Sequence, residues 1–339
     1  MKNIGSGINF KISFFIACAI TIICAGIAVY PYLFGKQDYY ISKGDALVAD
    51  RSFFGFSFLG AANYYKKAID TGATEFAAYE KYSAVLAALE NYSGAAKIYE
   101  SIIEKDPKEA LAHYNLARVY LSLAIKKNDE ELYNKSVESL RKAMSLNPKS
   151  ANFYLTLARA YEDVKRYEDA RKVYREFISK KIFDRVAIYN LIGNTYFIEE
   201  NYKDALVNYE RAIAEDKNYA VSYINAGDTL MKIGNAEQAL DRYKKALIIE
   251  PELTDAMVKI AGIYYDKMLY GETIKYCEAI LQRYPEDSSA NYFLGMVMNR
   301  FGRTSDAINY FEKAAAFGSD MAVEELKALG ITLKRADVL

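Results

Sequence analysis

The chain has 339 residues, and its 44 Lys+Arg are matched by 44 Asp+Glu, so the formal net charge is zero. Such a balance excludes a nucleic-acid binder that works by neutralising phosphates, which needs a surplus of cations. A single histidine, His113, removes most histidine-based catalysis and most zinc sites, and three cysteines cannot build a disulfide framework. The 52% apolar content supports a folded core, while 31 Tyr beside only 5 Pro and no Trp shows that something places tyrosine repeatedly and that few breakers interrupt helices.

A short tail, 1–11, leads into a run without a charged residue, 12–34, rich in Ile, Phe, Ala, Val and Leu. That is long enough to cross the roughly 30 Å hydrocarbon layer as a transmembrane helix. Tyr30 and Tyr32 sit at its far end, as interfacial aromatics do. Lys2 and Lys11 precede it and no acid occurs before Asp38, so the cation bias predicts the N-terminus inside and the bulk of the chain outside. The run is longer than the apolar region of a usual signal peptide, which favours a retained anchor. The alternative is a cleaved signal, with Gly26 and Ala28 around the cleavage site. Lipidation at Cys24 is disfavoured by bulky Ile22 and Ile23, and at Cys18 by a very short preceding apolar stretch.

After a linker, 35–41, one pattern recurs at a spacing of 34 residues, seen most plainly in the windows opening at Val186, Ala220 and Thr254. In the first of these, Tyr189, Ile192, Gly193 and Tyr196 take positions 4, 7, 8 and 11, and Ala205, Tyr209 and Ala212 take positions 20, 24 and 27. Each set falls on one helical face, so every window predicts two amphipathic helices joined by a polar turn. Small residues at 8 and 20 let the pair approach closely, and the aromatics fill the space beside them. No single hairpin buries both faces, so stacking is required.

Seven such units are predicted: 76–109, 110–150, 151–184, 186–219, 220–253, 254–287 and 288–321. The second is seven residues too long, an insertion around 125–132 whose Lys126, Lys127, Asn128, Asp129, Glu130 and Glu131 place it at the surface. A degraded unit, 42–75, precedes them. Val48, Ala49, Ala61, Tyr65 and Ala68 fit its pattern, but Asp45 takes position 4 and the turn Ser52-Phe53-Phe54-Gly55-Phe56 is unusually apolar. That turn either packs on the next unit or dips into a lipid interface. A capping helix, 322–339, with Leu326, Leu329 and Leu333, is expected to cover the last unit. The tyrosine excess follows from the pattern, because position 17 alone holds Tyr92, Tyr133, Tyr167, Tyr202 and Tyr270.

Period and pattern together resemble the tetratricopeptide repeat, a helix–turn–helix unit. The resemblance implies an all-α solenoid, a right-handed superhelix of such hairpins, preceded here by one transmembrane helix. It also implies a groove lined by the first helices of successive units at positions 2, 5, 6, 9, 12 and 13. Carried onto this chain, the candidate partner groove holds Tyr114, Asn115, Arg118 and Leu121, then Leu155, Arg159 and Glu162. It continues through Asn190, Asn194 and Phe197, then Ile224, Asn225, Asp228 and Met231. Val258, Lys259, Gly262 and Tyr265 follow, and Tyr292, Met296, Asn299 and Arg300 close it. Its asparagines suit the backbone amides of a peptide, and Phe197, Ile224 and Met231 suit its side chains. Some family members clamp a C-terminal carboxylate with Lys, Asn, Asn, Lys and Arg. The corresponding places here hold Asn190, Asn194, Asn225, Asp255 and Lys259, and the loss of a cation and gain of an acid argue against that ligand. Arg118 and Arg159, both at position 9, suit an acidic partner; the alternative is that Glu162 and Asp163, one turn from Arg159, neutralise it.

Enzyme chemistry finds no foothold: there is no phosphate-binding glycine loop, nucleophile elbow, HExxH or Cys pair, so no cofactor or metal is called for. His113 occupies a packing position and Cys277 replaces the aromatic at position 24, so both read as buried structural residues. The expected function is a membrane-tethered adaptor that holds a partner protein or peptide, on the outer side of a bacterial inner membrane, in assembly of a secretion, pilus or respiratory complex. A cytoplasm-facing receptor or regulator is the alternative, and an enzyme with a repeat-embedded site the remote one.

Overall fold

A computed structural model describes residues 36–49, 54–71, 76–181 and 184–331. The apolar run 12–34 and Leu333 lie outside the described residues. Among these, 17 helices and no strand occur, and no helix is long and apolar enough to cross a membrane. The chain divides into two compact units at Lys165/Arg166, inside the turn of window 151–184.

The N-terminal unit contains α1 (Lys36–Ala49), α2 (Phe54–Asp70), α3 (Phe76–Ala88), α4 (Tyr92–Lys105), α5 (Ala110–Lys127), α6 (Glu130–Leu146) and α7 (Ala151–Asp163). The C-terminal unit contains α8 (Tyr167–Ser179), α9 (Arg185–Ile198), α10 (Tyr202–Glu215), α11 (Ala220–Ile233), α12 (Ala236–Ile249), α13 (Thr254–Asp266), α14 (Tyr270–Arg283), α15 (Ser288–Arg300), α16 (Thr304–Ala316) and α17 (Asp320–Ala328). Within each unit every helix packs on the next, and in the C-terminal unit the first helices of neighbouring hairpins also touch, α9 with α11 and α13 with α15.

The hairpin turn has a fixed chemistry. Position 15 is left-handed in window after window: Glu90 (φ 57), Lys165 (φ 60), Glu200 (φ 59) and Met268 (φ 59) adopt it beside Gly234 (φ 85) and Gly302 (φ 73). Only the two glycines do so without steric cost. The next residue starts the second helix, and in three turns it is an asparagine, Asn91, Asn201 or Asn235, whose side chain accepts a backbone N–H three residues on. Close pairing then depends on position 8. A Cβ built on Gly193 or Gly227 would lie 2.5 Å from the ring of Tyr209 or Tyr243, and one on Gly295 would lie 2.6 Å from Phe311. The position-24 aromatic therefore lies flat against bare backbone of the opposite helix, and that contact builds the core.

A second recurrence ties successive hairpins. His113 at position 4 makes a 3.0 Å Nε2 contact with the carbonyl of Pro107. Tyr154 and Asn291, also at position 4, donate to the carbonyls of Pro148 and Pro285 at 3.3 and 3.2 Å. His113 is buried and serves as one rung of this series.

The seven extra residues near 125–132 lengthen α5 to 18 residues and α6 to 17, with Asn128 (φ 52) as the left-handed turn residue and Lys126, Lys127, Glu130 and Glu131 exposed at the surface. One expectation is corrected. In the degraded unit the first helix begins at Lys36, and Val48 and Ala49 are exposed instead of facing the partner helix. Gly44 lies against the Tyr65 ring, where a Cβ would come within 2.5 Å. Gly44 thus plays the position-8 role, and Asp45 plays position 9 instead of 4. The supposed turn is also partly helix, because α2 already begins at Phe54. At the other end Leu326 is fully buried and Leu329 packs against the same cluster.

Candidate functional site

In the N-terminal unit the first helices α3, α5 and α7 enclose a hollow of about 480 Å³. Glu80, Ala84, Ala87 and Ala88 line it from α3, Asn115, Arg118, Val119, Leu121 and Ser122 from α5, and Thr156 from α7. Tyr92 and Tyr99 of α4 complete it. Most of these lie at repeat positions 5, 6, 9, 12 and 13, and the hollow exists because α3 carries alanine at 9, 12 and 13.

The polar groups of the hollow are unevenly satisfied. The Asn115 amide, buried, donates to the Glu80 carboxylate at 3.4 Å. Tyr114 bonds Thr156 through its hydroxyl at 3.2 Å and packs its ring 4.8 Å from that of Phe153. Burial, with the Glu80 charge nearby, pushes the Tyr99 phenol up to about 12, against the opposing effects of Arg118 and the Ser83 hydroxyl. Arg118 is exposed, with its guanidinium 5.7 Å from the centre of the Tyr114 ring. Arg159 is exposed on α7.

The same face of the C-terminal unit is internally tied. Asn190 is 6% exposed, and its amide donates to the Val186 carbonyl at 3.0 Å and to the Ser222 hydroxyl at 2.8 Å. Its carbonyl accepts from Asn225 at 3.0 Å. Asn194 accepts from the Tyr209 hydroxyl at 2.7 Å. Asp228 accepts from the Tyr243 hydroxyl at 2.6 Å and pairs with Lys259 at 2.9 Å. Burial disfavours the Lys259 ammonium, yet the hydrogen bond and charge of Asp228, with Asp255, raise its pKa above the ordinary lysine value. Ile224 is buried in the core cluster, and Phe197 packs on that cluster and edge-on to Tyr202 at 5.4 Å. Tyr265 accepts from Arg300 at 3.1 Å, and Tyr292 sits 6.0 Å from Phe311. Asn299 is half-buried, and Met231 is 37% exposed.

Residues expected to meet a ligand thus separate into two sets. Asn115, Arg118 and Leu121 come together in a real hollow, whereas Asn190, Asn225, Asp228 and Lys259 bind one another across adjacent hairpins. Glu80, Ala84, Ala87, Ala88, Tyr92, Tyr99, Val119, Ser122 and Thr156 were missed. Their signal was present: three alanines at groove positions of a single helix. The Tyr–Asp–Lys arrangement was also missed and occurs in both units, since Asp45 accepts from Tyr65 at 2.8 Å and pairs with Lys81 at 2.7 Å. Among the described residues no group of three His, Cys, Asp or Glu could hold a metal. Cys277 is fully buried, and burial with Asp287 and Glu278 nearby pushes its thiol up to about 12.

Comparison with known proteins gives the following. Tetratricopeptide-repeat models match residues 84–139, 139–172, 196–261 and 270–322. A CTR9 homolog from Arabidopsis thaliana is 24% identical over 168 residues, covering 46% of this chain and 15% of that protein. The repeat-containing protein YpiA of Bacillus subtilis is 22% identical over 128 residues, covering 38% and 30%. The chain therefore spans less than a third of either relative. Among solved structures, the C-terminal part of a repeat-containing protein from Cytophaga hutchinsonii superposes with a TM-score of 0.55 at 15% identity, covering 73% of this chain and 98% of that one. That likeness shows the fold.

Proposed function

The chain belongs to the tetratricopeptide repeat family, and from that premise we propose that it is a protein–protein interaction scaffold whose binding surface is the first-helix face of the N-terminal unit. The observation that carries this is the 480 Å³ hollow between α3, α5 and α7, a volume within the range of ligand sites and open at a face with charge to spare. A peptide lying across the three helices would set side chains into the alanine-floored space and meet Glu80, Asn115, Arg118 and Thr156 along its length.

A photo-crosslinking amino acid in place of Ala88, which lines the hollow and is exposed, tests this in living cells. A discrete crosslinked partner is expected from Ala88 and not from exposed Lys97 of α4. Equal products from both sites, or none from either, remove the reading.

The finer reading is that this scaffold is tethered to a bilayer through 12–34, faces outward, and serves assembly of a secretion, pilus or respiratory complex of the cell envelope. Its support is the uncharged run itself and the cations Lys2 and Lys11 before it. Tethering raises the effective concentration of membrane partners. A chain with its native cysteines replaced and a single Cys at exposed Lys127 reports topology by an impermeant maleimide. Labelling of whole cells is expected; labelling only after lysis favours the cytoplasm-facing receptor instead.

A further inference from the structure

We propose that the hollow of the N-terminal unit selects an acidic peptide: a side-chain carboxylate held by Arg118 and Arg159, with the neighbouring aliphatic side chain set on the alanine floor. The proposal rests on the scaffold reading above and adds to it the chemistry of the partner.

The register of α5 and α7 carries the argument. Tyr114 and Thr156 are joined at 3.2 Å, and the Tyr114 ring lies 4.8 Å from Phe153, so these two helices meet at that height. Arg118 follows Tyr114 by four residues and Arg159 follows Thr156 by three, and on a helix both steps stay on the same face. Arg118 and Arg159 are therefore rooted one turn beyond the same contact, on adjacent helices, and the Arg118 guanidinium reaches back to 5.7 Å from the centre of the Tyr114 ring.

Charge is the second strand. Arg118 and Arg159 are exposed, and neither has a carboxylate partner among the described residues. In the C-terminal unit the charges at positions 6 and 9 of neighbouring hairpins, Lys259 and Asp228, are already spent on each other. An unpaired pair of planar, multi-donor cations next to an apolar-floored hollow complements a carboxylate better than a neutral or basic side chain. Glu80 lines the hollow from α3 and accepts from Asn115 on α5, so a second carboxylate is disfavoured beside it. The bound segment thereby gains a direction, with its acid toward Arg118 and its aliphatic residue over Ala84, Ala87 and Ala88.

The test is fluorescence anisotropy on the full chain with two labelled peptides, Gly-Ser-Glu-Leu-Glu-Leu-Ser-Gly and the same peptide with Lys for Glu. The Glu peptide is expected to bind at least about tenfold more tightly than the Lys peptide, and less tightly as salt rises. Reversal of both charges, Arg118→Glu with Arg159→Glu, is expected to invert the preference, which a merely unfolded variant cannot do. Ala88→Trp, which fills the hollow, is expected to weaken both peptides. Equal binding of the two peptides, binding of neither, or retention of the Glu preference by the reversed variant overturns the proposal. If Ala88→Trp abolishes binding while charge reversal changes nothing, acid selection fails and the scaffold reading stands. If Ala88→Trp changes nothing and Ala88 yields no crosslink, the scaffold reading itself fails.

Discussion

The first-helix faces of the two units are built from the same repeat positions and part company at position 9. In the C-terminal unit, positions 5, 6 and 9 carry Asn190, Asn225, Asn194, Asp228 and Lys259, and each is bonded to a neighbouring hairpin or to the position-24 tyrosine. In the N-terminal unit Glu80, Lys81, Tyr114, Asn115 and Thr156 at positions 5 and 6 are tied as well, but position 9 carries Ala84, Arg118 and Arg159, which tie to nothing comparable, and a hollow opens. A repeat position is thus not a binding position by itself. Its use depends on whether the adjacent hairpin offers a partner, because a polar group satisfied within the chain has little left for a ligand.

This contrast can be broken from its most costly side first. Tyr243→Ala removes a ring that is 1% exposed and presses on Gly227, so a loss of about 3–5 kcal/mol is expected, read as faster hydrogen exchange in the C-terminal unit. Tyr243→Phe keeps the ring and loses only the bond to Asp228, for about 1 kcal/mol. If the two variants cost the same, packing is not what the tyrosine supplies.

Alkaline pH probes the hollow from within. The Tyr99 phenol is raised from 10.0 to about 12 in the folded chain. A raised folded value means that its contribution is intact below pH 10 and fades as pH climbs toward 12. Melting temperature should therefore fall across that window, and Tyr99→Phe should flatten part of the fall. A slope identical to that of the parent chain would show that Tyr99 is not held as described.

Arg171 offers a smaller effect in the C-terminal unit. It is 5% exposed, bonds Thr195 at 3.3 Å, pairs with Glu199 and Glu168, and stacks 4.1 Å from the centre of the Tyr196 ring. Its carboxylate partners are partly open to water, so Arg171→Ala is expected to cost about 2 kcal/mol, less than for a fully buried pair. Urea unfolding would register it.

The contrast is sharpest in one pair of alanine substitutions. Asn190→Ala strands the amide of Asn225 and should cost about 1–2 kcal/mol. Arg118→Ala, at an exposed unpaired site, should stay within about 0.5 kcal/mol of the parent. Comparable losses would erase the distinction between tie and ligand group. Of opposite sign, Met268→Gly relieves a left-handed turn residue (φ 59) and should gain up to about 1 kcal/mol in thermal unfolding.

Much of the architecture was readable from spacing. The seven-position signature located Gly193, Tyr209, Gly227 and Tyr243, and all four lie where the close approach of paired helices requires. It failed where the signature was weak: with Asp45 taken as position 4, the first helix of the first hairpin was read five residues out of register, because Ala49 and Gly44 are both small and only the Tyr65 ring decides between them, whereas Ala61, Tyr65 and Ala68 of its second helix are buried as expected. The insertion was counted correctly, and its extra helical turns are shared between the lengthened α5 and α6. The groove was half legible. A position number says which way a residue leaves its own helix, but the number of Asn190 does not reveal Ser222 and Asn225 waiting on the next one.

By itself the order of residues determined the class of fold and the period of its hairpins, because helical faces and left-handed turns are local properties written within a window of 34 positions. Only the packed chain decided which polar side chains are consumed by their neighbours and where three alanines leave a space. Those outcomes depend on pairs of residues about 30 to 40 apart in sequence, brought together only when one hairpin settles on the next.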